Sequence, residues 1–172
     1  MLRRAIEDEA YRLGFQLFGV TTPDPPPHYA AFESWLAAGR HGEMGYLASE
    51  RSRQRRADPR QIMPACRSIL VLGAPYSTPD AKQANSHSFS SVTAEGSATR
   101  PVSNPVGRVA AYAWGDDYHD VLIERLKTLT AFIQVQAGQA VDCRWYTDSG
   151  PLLERDLAQR AGLGWIGKNT CL

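Results

Sequence analysis

The sequence predicts a single α/β to α+β domain in which helices flank a mixed central sheet. Segments with helical apolar spacing alternate with short apolar runs that are typical of buried strands, and 172 residues suit one domain. The composition is that of an ordinary globular protein, because 43% of the residues are hydrophobic and 22% are charged. The formal net charge of +1 provides no overall field, so nucleic-acid binding would need a local basic patch.

The first half of the chain predicts three helices and two strands. Residues 2–13 carry apolar side chains at helical spacing, and "FQLFGVT" predicts a short strand after them. Residues 29–36 predict a second helix that ends near Gly39, and "HGEMGYLASE" predicts a short third helix. The clearest buried strand is residues 68–76, a continuous apolar run bounded by turn-forming residues.

The second half predicts an insertion, two strands and two helices. Residues 77–107 lack a core pattern, which indicates either a disordered surface insertion or a lid that orders on ligand binding. "RVAAYAW" predicts a strand, and a long amphipathic helix follows with Asp116 or Asp117 as its N-cap. "VDCRWYTD" alternates as a strand does and would deliver Asp148 to its end.

The segment "GLGWIGKNT" (residues 162–170) has the G-x-G-x-x-G pattern of a dinucleotide loop. That pattern has physical content only when it follows a buried strand and opens a helix. Here a helix precedes it, with Pro151 suited to the first helical position and Gly162 suited to the C-terminal cap. We therefore predict that this turn does not bind a nicotinamide dinucleotide.

Neither the N-terminus nor the cysteines indicate export or a metal centre. The opening residues carry charges where a signal peptide needs an apolar stretch, and no apolar run reaches membrane-spanning length. Cys66, Cys143 and Cys171 are odd in number and lack C-x-x-C spacing. We expect a cytoplasmic protein that does not associate with membranes and holds no metal in these residues.

Three groups of side chains are candidates for chemistry, and each has a structural alternative. Asp148 lies at a strand-to-helix junction, where it would either cap the helix or react with a ligand. Tyr118 and His119 open the long helix and would serve as acid, base or ligand, or only pack. The arginines of residues 51–56 would either bind phosphates or form a solvated face. Glu154 is interpreted as a solvated helix charge, and the pattern indicates no second carboxylate beside Asp148.

Four segments together resemble a known family. They are "HGEMGYL", "RADPRQIMPACRSILVLGAPY", "GRVAAYAWGDDYHDVLIERLKTL" and "TDSGPLLERDLAQRAGLGWIGKNT". In order and spacing they resemble the N-terminal half of epoxyqueuosine reductase, a cobalamin-dependent enzyme that modifies tRNA. The resemblance implies a nitroreductase-like fold, with residues 1–172 forming a domain that binds cobalamin and substrate.

The resemblance also implies roles for particular residues. Asp148 matches the proton donor of a reaction in which reduced cobalamin converts the epoxide on the modified wobble base to the cyclopentene of queuosine. Arg56 matches a position that contacts cobalamin. The corresponding glycine-rich turn lies against the corrin ring, because glycines allow close approach to a flat macrocycle. The cofactor-binding residues implied are Gly164, Trp165, Gly167 and Leu172.

A proton donor needs a pKa that the ordinary aspartate lacks. With a pKa of about 3.9, only roughly one carboxyl in a thousand holds a proton at neutral pH. We expect the corrin face and Trp165 to desolvate Asp148 and to raise its pKa.

The sequence departs from the family pattern at two positions and ends before one module. The family usually has Arg where Ala111 stands and a basic residue where Asp116 stands. It also continues into a ferredoxin-like module with two 4Fe-4S clusters, whose ligands are absent here. We expect a monomer that acts on epoxyqueuosine-containing tRNA with an external electron donor, and no turnover from these residues alone.

Two alternatives remain open on the residues alone. A flavin-dependent reductase would use the same fold to hold a different flat cofactor. A non-catalytic module that binds RNA or a protein partner would use the arginines of residues 51–56.

Overall fold

The structure is a computed structural model that describes residues 1–76, 113 and 115–172. The predictions for the insertion at residues 77–107, for Ala111 and for all but one residue of the "RVAAYAW" strand lie outside the described residues. In the described part the α-helices and strands are α1 (Leu2–Arg12), β1 (Leu17–Thr21), α2 (Tyr29–Ala37), α3 (Glu50–Ala57), β2 (Ile69–Gly73), α4 (Tyr118–Ala137) and α5 (Glu154–Arg160). Short 3-10 helices cover Gly45–Ala48 and Pro59–Gln61.

The described strands form a two-stranded antiparallel sheet. β1 pairs with β2 in a register that places Leu17 opposite Gly73 and Thr21 opposite Ile69. Both strands were predicted from their apolar runs, and both predictions are confirmed. The mixed helix-and-strand class is also confirmed.

The strand expected at residues 141–148 is wrong, because those described residues pair with no other described strand. A side chain of this segment bonds the backbone elsewhere, because Arg144 Nη1 donates to the Ile62 carbonyl oxygen at 3.0 Å. Apolar–polar alternation reports that two faces differ in exposure, whereas a strand also needs a neighbour with which to exchange backbone hydrogen bonds.

The core lies between α1, the sheet and α4. Its buried members are Ile6, Ala10, Phe15, Phe18 and Leu129. Ala10 has no exposed surface, so α1 approaches its neighbours closely at that point. The long helix was predicted with an apolar face that includes Leu129, and it begins at one of the two expected caps: the Asp117 side chain accepts the His119 N–H at 2.9 Å. No helix in the described residues is both long enough and apolar enough to cross a membrane.

The last helix begins later than the sequence predicts. Pro151 was expected at its first position, but α5 starts at Glu154. The turn before the helix is closely packed, because a Cβ on Gly150 would lie 2.6 Å from the Tyr146 ring. The chain therefore continues in a turn through Pro151. Gly162 follows α5 with a φ of +80°, which confirms its role in ending the helix.

Two side chains of α5 fix this helix against the loop that follows β1. The Asp156 carboxylate is only 4% exposed; it accepts the His28 N–H at 3.0 Å and lies 2.7 Å from His28 Nδ1. Arg160 donates to the Thr21 hydroxyl at 2.9 Å and to the Thr22 carbonyl at 2.6 Å. These bonds fix the position of Glu154 and of the turn that precedes it.

Candidate functional site

Asp148 lies in the turn before α5 with a backbone conformation that is unusual for its residue type. Its φ is 53°, in the left-handed region that side chains other than those of Asn and Asp adopt rarely. The Tyr118 hydroxyl donates to Asp148 Oδ2 at 2.6 Å. The N-terminus of α4 thus orients an exposed carboxylate, and conformations of this kind concentrate at functional sites.

Asp148 does not cap the helix that follows it. The N-cap of α5 is Leu153, and no side chain caps that helix end. The structural alternative for Asp148 is therefore wrong. Of the two candidates that open α4, Tyr118 reaches Asp148, whereas the His119 ring is held by Asp117, with Nδ1 2.8 Å from Oδ1.

Glu154 is a second carboxyl group in the same site, and the sequence analysis missed it. Its residue is partly buried, and it lies close enough to Asp148 and Arg56 for the charge of each to affect its ionisation. Burial raises the pKa of Glu154 to about 7, and the negative charge of Asp148 acts in the same direction. The Asp148 N–H and the charge of Arg56 oppose this rise.

Arg56 lies beside the turn that follows Asp148, and its charge acts on Glu154. Arg56 is only 9% exposed. Its Nη1 donates to the Ser52 hydroxyl, and its Nη2 lies 3.5 Å from the Gly150 carbonyl oxygen. The guanidinium also lies 5.6 Å from the centroid of the Phe32 ring. Burial lowers the pKa of Arg56. Arg56 is thus buried and bonded, whereas Arg51 on the same helix is exposed.

The other arginines of α3 do not form one uniform cationic surface. Arg53 is engaged with Glu33, through a bond of 2.9 Å from Nε to Oε1 and a second bond from Nη2. This ion pair neutralises part of the charge that a phosphate would need. Arg53 and Arg56 are therefore not available to the basic patch that was one interpretation of residues 51–56.

The glycine-rich turn follows α5 directly, so the described residues give it neither the preceding strand nor the following helix of a dinucleotide loop. The preceding helix was expected from the sequence, and the absence of dinucleotide binding stays a prediction. Within the turn the Gly167 N–H donates to the Cys171 carbonyl at 2.8 Å, and a Cβ on Gly164 would lie 3.3 Å from the Leu172 side chain. The Trp165 residue is 78% exposed and Leu172 is 44% exposed. The Trp165 and Leu172 side chains are thus exposed in the same turn as Gly164 and Gly167.

The exposure of Trp165 affects the expectation that this side chain desolvates Asp148. A side chain this exposed removes little water from a neighbour, so Trp165 alone does not provide the desolvation expected around Asp148. The buried acid of the site is Glu154 instead. Tyr118, Asp148 and Glu154 line one wall of a cavity of about 1120 Å³, whose other described walls come mainly from β2, α4 and residues 139–147.

The described residues contain no group of three or more His, Cys, Asp or Glu side chains placed to hold a metal ion. Cys66, Cys143 and Cys171 are all free thiols. Burial raises the pKa of the Cys143 thiol.

The fold and the site define a mixed helix-and-strand domain that presents an aspartate bonded by a tyrosine hydroxyl and, after its last helix, a glycine-rich turn with an exposed indole. The chain belongs to the epoxyqueuosine reductase QueG family: the family model described as "Epoxyqueuosine reductase QueG, DUF1730" matches residues 56–149. The resemblance inferred from the four sequence segments is thereby confirmed.

Individual relatives agree with this membership. The epoxyqueuosine reductase of Pseudomonas aeruginosa is 36% identical over 170 residues, which cover 98% of this chain and 42% of the relative. A Bacillus subtilis epoxyqueuosine reductase, solved with its catalytic Asp loop swung out of the active site, is 25% identical with a TM-score of 0.66 over 99% of this chain and 40% of that chain. An epoxyqueuosine reductase solved with an epoxyqueuosine-modified tRNA-Tyr stem loop has a TM-score of 0.69 at 22% identity, over 99% of this chain and 40% of that chain. The chain thus spans about two fifths of the length of these relatives.

Proposed function

We propose that residues 1–172 form the part of an epoxyqueuosine reductase that binds cobalamin and presents Asp148 to the epoxide of the modified tRNA base. The observation that carries this proposal is the placement of Asp148, an exposed carboxylate held in a left-handed turn by Tyr118. A catalytic Asp loop is also named for the Bacillus subtilis relative. The proposal includes a nitroreductase-like sheet, a monomeric state and a cytoplasmic location.

The glycine-rich turn has the chemistry that a large flat cofactor requires. Trp165 and Leu172 offer exposed apolar surface, and the lack of a Cβ lets Leu172 pack close to Gly164 and Asn169 close to Gly167. These residues fit cobalamin, which when bound supplies the electrons for reducing the epoxide. Arg56 would act from below, by supporting the turn at Gly150 rather than through an exposed guanidinium.

Asp148 transfers the proton in this scheme. The net reaction takes up two electrons and two protons, cleaves the two epoxide C–O bonds, and releases water with formation of the alkene. Asp148 gives one proton to the departing oxygen, while the Tyr118 hydroxyl fixes the orientation of Oδ2. The resemblance implies two 4Fe-4S clusters that would pass electrons from an external donor, and residues 1–172 lack ligands for such clusters, so we expect no turnover from these residues alone.

An absorbance spectrum of the reconstituted complete protein tests the cofactor assignment. The proposal predicts saturable uptake of cobalamin with a changed corrin spectrum. Uptake of a flavin in its place would favour a flavin-dependent reductase. Binding of tRNA with uptake of neither cofactor would favour a non-catalytic module, although the Arg53–Glu33 ion pair already weakens the cationic surface that such a module would use.

Arg56→Ala is expected to weaken the site more than Arg51→Ala does. The buried guanidinium of Arg56 holds the Gly150 carbonyl and packs on Phe32, so its removal should cost about 2 kcal/mol of the free energy of unfolding and reduce cobalamin affinity. Arg51 is exposed on the same helix and provides the matched control, with a change within about 0.5 kcal/mol. Urea unfolding and a cobalamin titration measure the two effects. Equal effects of the two substitutions would show that the position of Arg56 has no special role.

A further inference from the structure

The start of the glycine-rich turn is held against the sheet. The α5 helix ends just before Ala161, and a Cβ on Gly19 of β1 would lie 2.7 Å from the Ala161 Cβ and 3.1 Å from the Leu163 side chain. It would also lie 2.9 Å from the Ala161 carbonyl oxygen, so the chain passes β1 at a distance that requires glycine at residue 19. This contact fixes the point at which the turn leaves the helix.

A set of hydrogen bonds holds the other end of the turn. The Thr170 N–H donates to the Gly167 carbonyl oxygen at 2.9 Å, and the Gly167 N–H donates to the Cys171 carbonyl oxygen at 2.8 Å. The Asn169 side chain accepts the Cys171 N–H at 3.2 Å. A Cβ on Gly167 would lie 2.9 Å from Asn169 Oδ1, so this arrangement requires glycine at residue 167. These bonds define the path of the backbone from residue 167 to residue 171.

Thr170 has a backbone conformation that its own side chain opposes. Its φ is 64°, in the left-handed region that a β-branched residue adopts rarely. Such a conformation persists where the surroundings hold it in place. One contact reaches Thr170 from outside the turn, because Arg155 Nη1 donates to the Thr170 carbonyl oxygen.

Arg155 lies where a cation does not stabilise its own helix. It is the second residue of α5, and a positive charge in the first turn of a helix interacts unfavourably with the helix dipole. The neighbouring charged residues, Glu154 and Asp156, are acidic, as the dipole favours. The bond to Thr170, fifteen residues further along the chain, gives Arg155 a different role. It joins the start of the helix that follows the Asp148 turn to the far end of the glycine-rich turn.

We propose that Arg155 is a positioning residue that keeps the glycine-rich turn in the conformation that accepts a large flat cofactor. The inference rests on the proposed function, because cobalamin is the cofactor assigned to this turn. With both ends of the turn held, the exposed Trp165 side chain is presented before the cofactor arrives, and binding costs less conformational entropy. Without Arg155, the left-handed conformation of Thr170 is populated for only a fraction of the time, and the apparent affinity falls by that fraction.

The order of the turn can be measured in the complete protein without any cofactor. Amide hydrogen exchange of the peptide that covers residues 162–172, followed by mass spectrometry, reports the bonds that close the turn. Arg155→Gln keeps a helix-forming side chain but loses the charged donor, so exchange in this peptide should become about tenfold faster. Arg4→Gln on the exposed face of α1 is the matched control and should leave the rate unchanged. Unchanged exchange in Arg155→Gln would overturn the inference.

A cobalamin titration of the same variants relates the order of the turn to binding. Arg155→Gln should bind cobalamin about tenfold more weakly, whereas Arg4→Gln should bind it as the wild type does. Thr170→Gly removes the steric opposition to the left-handed conformation, so adding Arg155→Gln to Thr170→Gly should weaken binding by less than about threefold. An equal loss in both backgrounds would show that Arg155 contacts the cofactor itself, and would overturn its role in positioning the turn.

Failure of the inference and failure of the proposed function give different results. A wild-type protein that takes up cobalamin, with an Arg155→Gln variant that binds it equally well, would overturn the role of Arg155 and leave the function standing. A folded wild-type protein that takes up no cobalamin would overturn the cofactor assignment. The exchange measurement would in that case still decide whether Arg155 orders the turn.

Discussion

Asp148→Asn is expected to lower the rate of epoxide reduction by about two to four orders of magnitude, because the amide cannot donate an acidic proton to the departing oxygen. The variant should fold and bind cobalamin normally. Asn accepts the bond from the Tyr118 hydroxyl and tolerates the left-handed conformation with a φ of 53°. Single-turnover measurements on the complete protein, with the tRNA product quantified by mass spectrometry, give the rate.

The control for this substitution is Asp8→Asn, which makes the same chemical change on the exposed face of α1. It should leave the rate unchanged. If Asp148→Asn reduced thermal stability while the activity per folded molecule stayed constant, the residue would only support the turn, and its assignment as the proton donor would be wrong.

The stability of the protein should depend on pH through Glu154. Its pKa of about 7 in the folded state lies above the ordinary glutamate value of 4.5, so the folded state binds this proton more tightly than the unfolded state does. The contribution is fully present below about pH 4.5 and is lost as the pH rises through about 7. The loss amounts to about 3 kcal/mol for this group, since one pKa unit corresponds to about 1.4 kcal/mol.

Urea unfolding at about pH 5 and about pH 9 measures this effect. The difference in the free energy of unfolding between the two pH values should be smaller in Glu154→Gln by about 3 kcal/mol, because the neutral amide has no proton to lose. Glu124→Gln on the exposed face of α4 is the matched control and should show the wild-type difference. An equal pH dependence in wild type and Glu154→Gln would mean that the Glu154 carboxyl titrates alike in the folded and unfolded states.

Local patterns were sufficient to predict much of the fold. Apolar periodicity identified α1, α2 and α4, and continuous apolar runs identified β1 and β2. Cap chemistry placed the start of α4 at Asp116 or Asp117, of which Asp117 is the cap, and the end of α5 before Gly162. Each of these features depends on residues within one turn or one strand, so short windows of sequence contain the information.

The errors concern features that depend on distant residues. Pro151 suggested an early start for α5, but the helix begins only after Leu153, and the turn before it contacts Arg56, which is distant in the sequence, at the Gly150 carbonyl. Residues 141–148 alternate in character without pairing as a strand among the described residues. Alternation in the sequence cannot reveal whether a partner strand lies alongside.

The candidate site was predicted in part. Asp148 stood out because it ends one predicted element and precedes another. Glu154 did not, because its partial burial depends on the folded chain and because Arg56, whose charge acts on it, is far away in the sequence. A carboxylate six residues after Asp148 became informative only once the start of α5 was known.

The most direct test of the central claim is the conversion of epoxyqueuosine in tRNA by the complete protein. The protein loaded with cobalamin and supplied with a reductant should remove one oxygen atom from the modified base, which mass spectrometry of the digested tRNA detects. Conversion by the wild type, lost without cobalamin and lost in Asp148→Asn, is the result expected. A folded, cobalamin-loaded wild-type protein that leaves the epoxide intact, or an Asp148→Asn variant that converts it at the wild-type rate, would contradict the account.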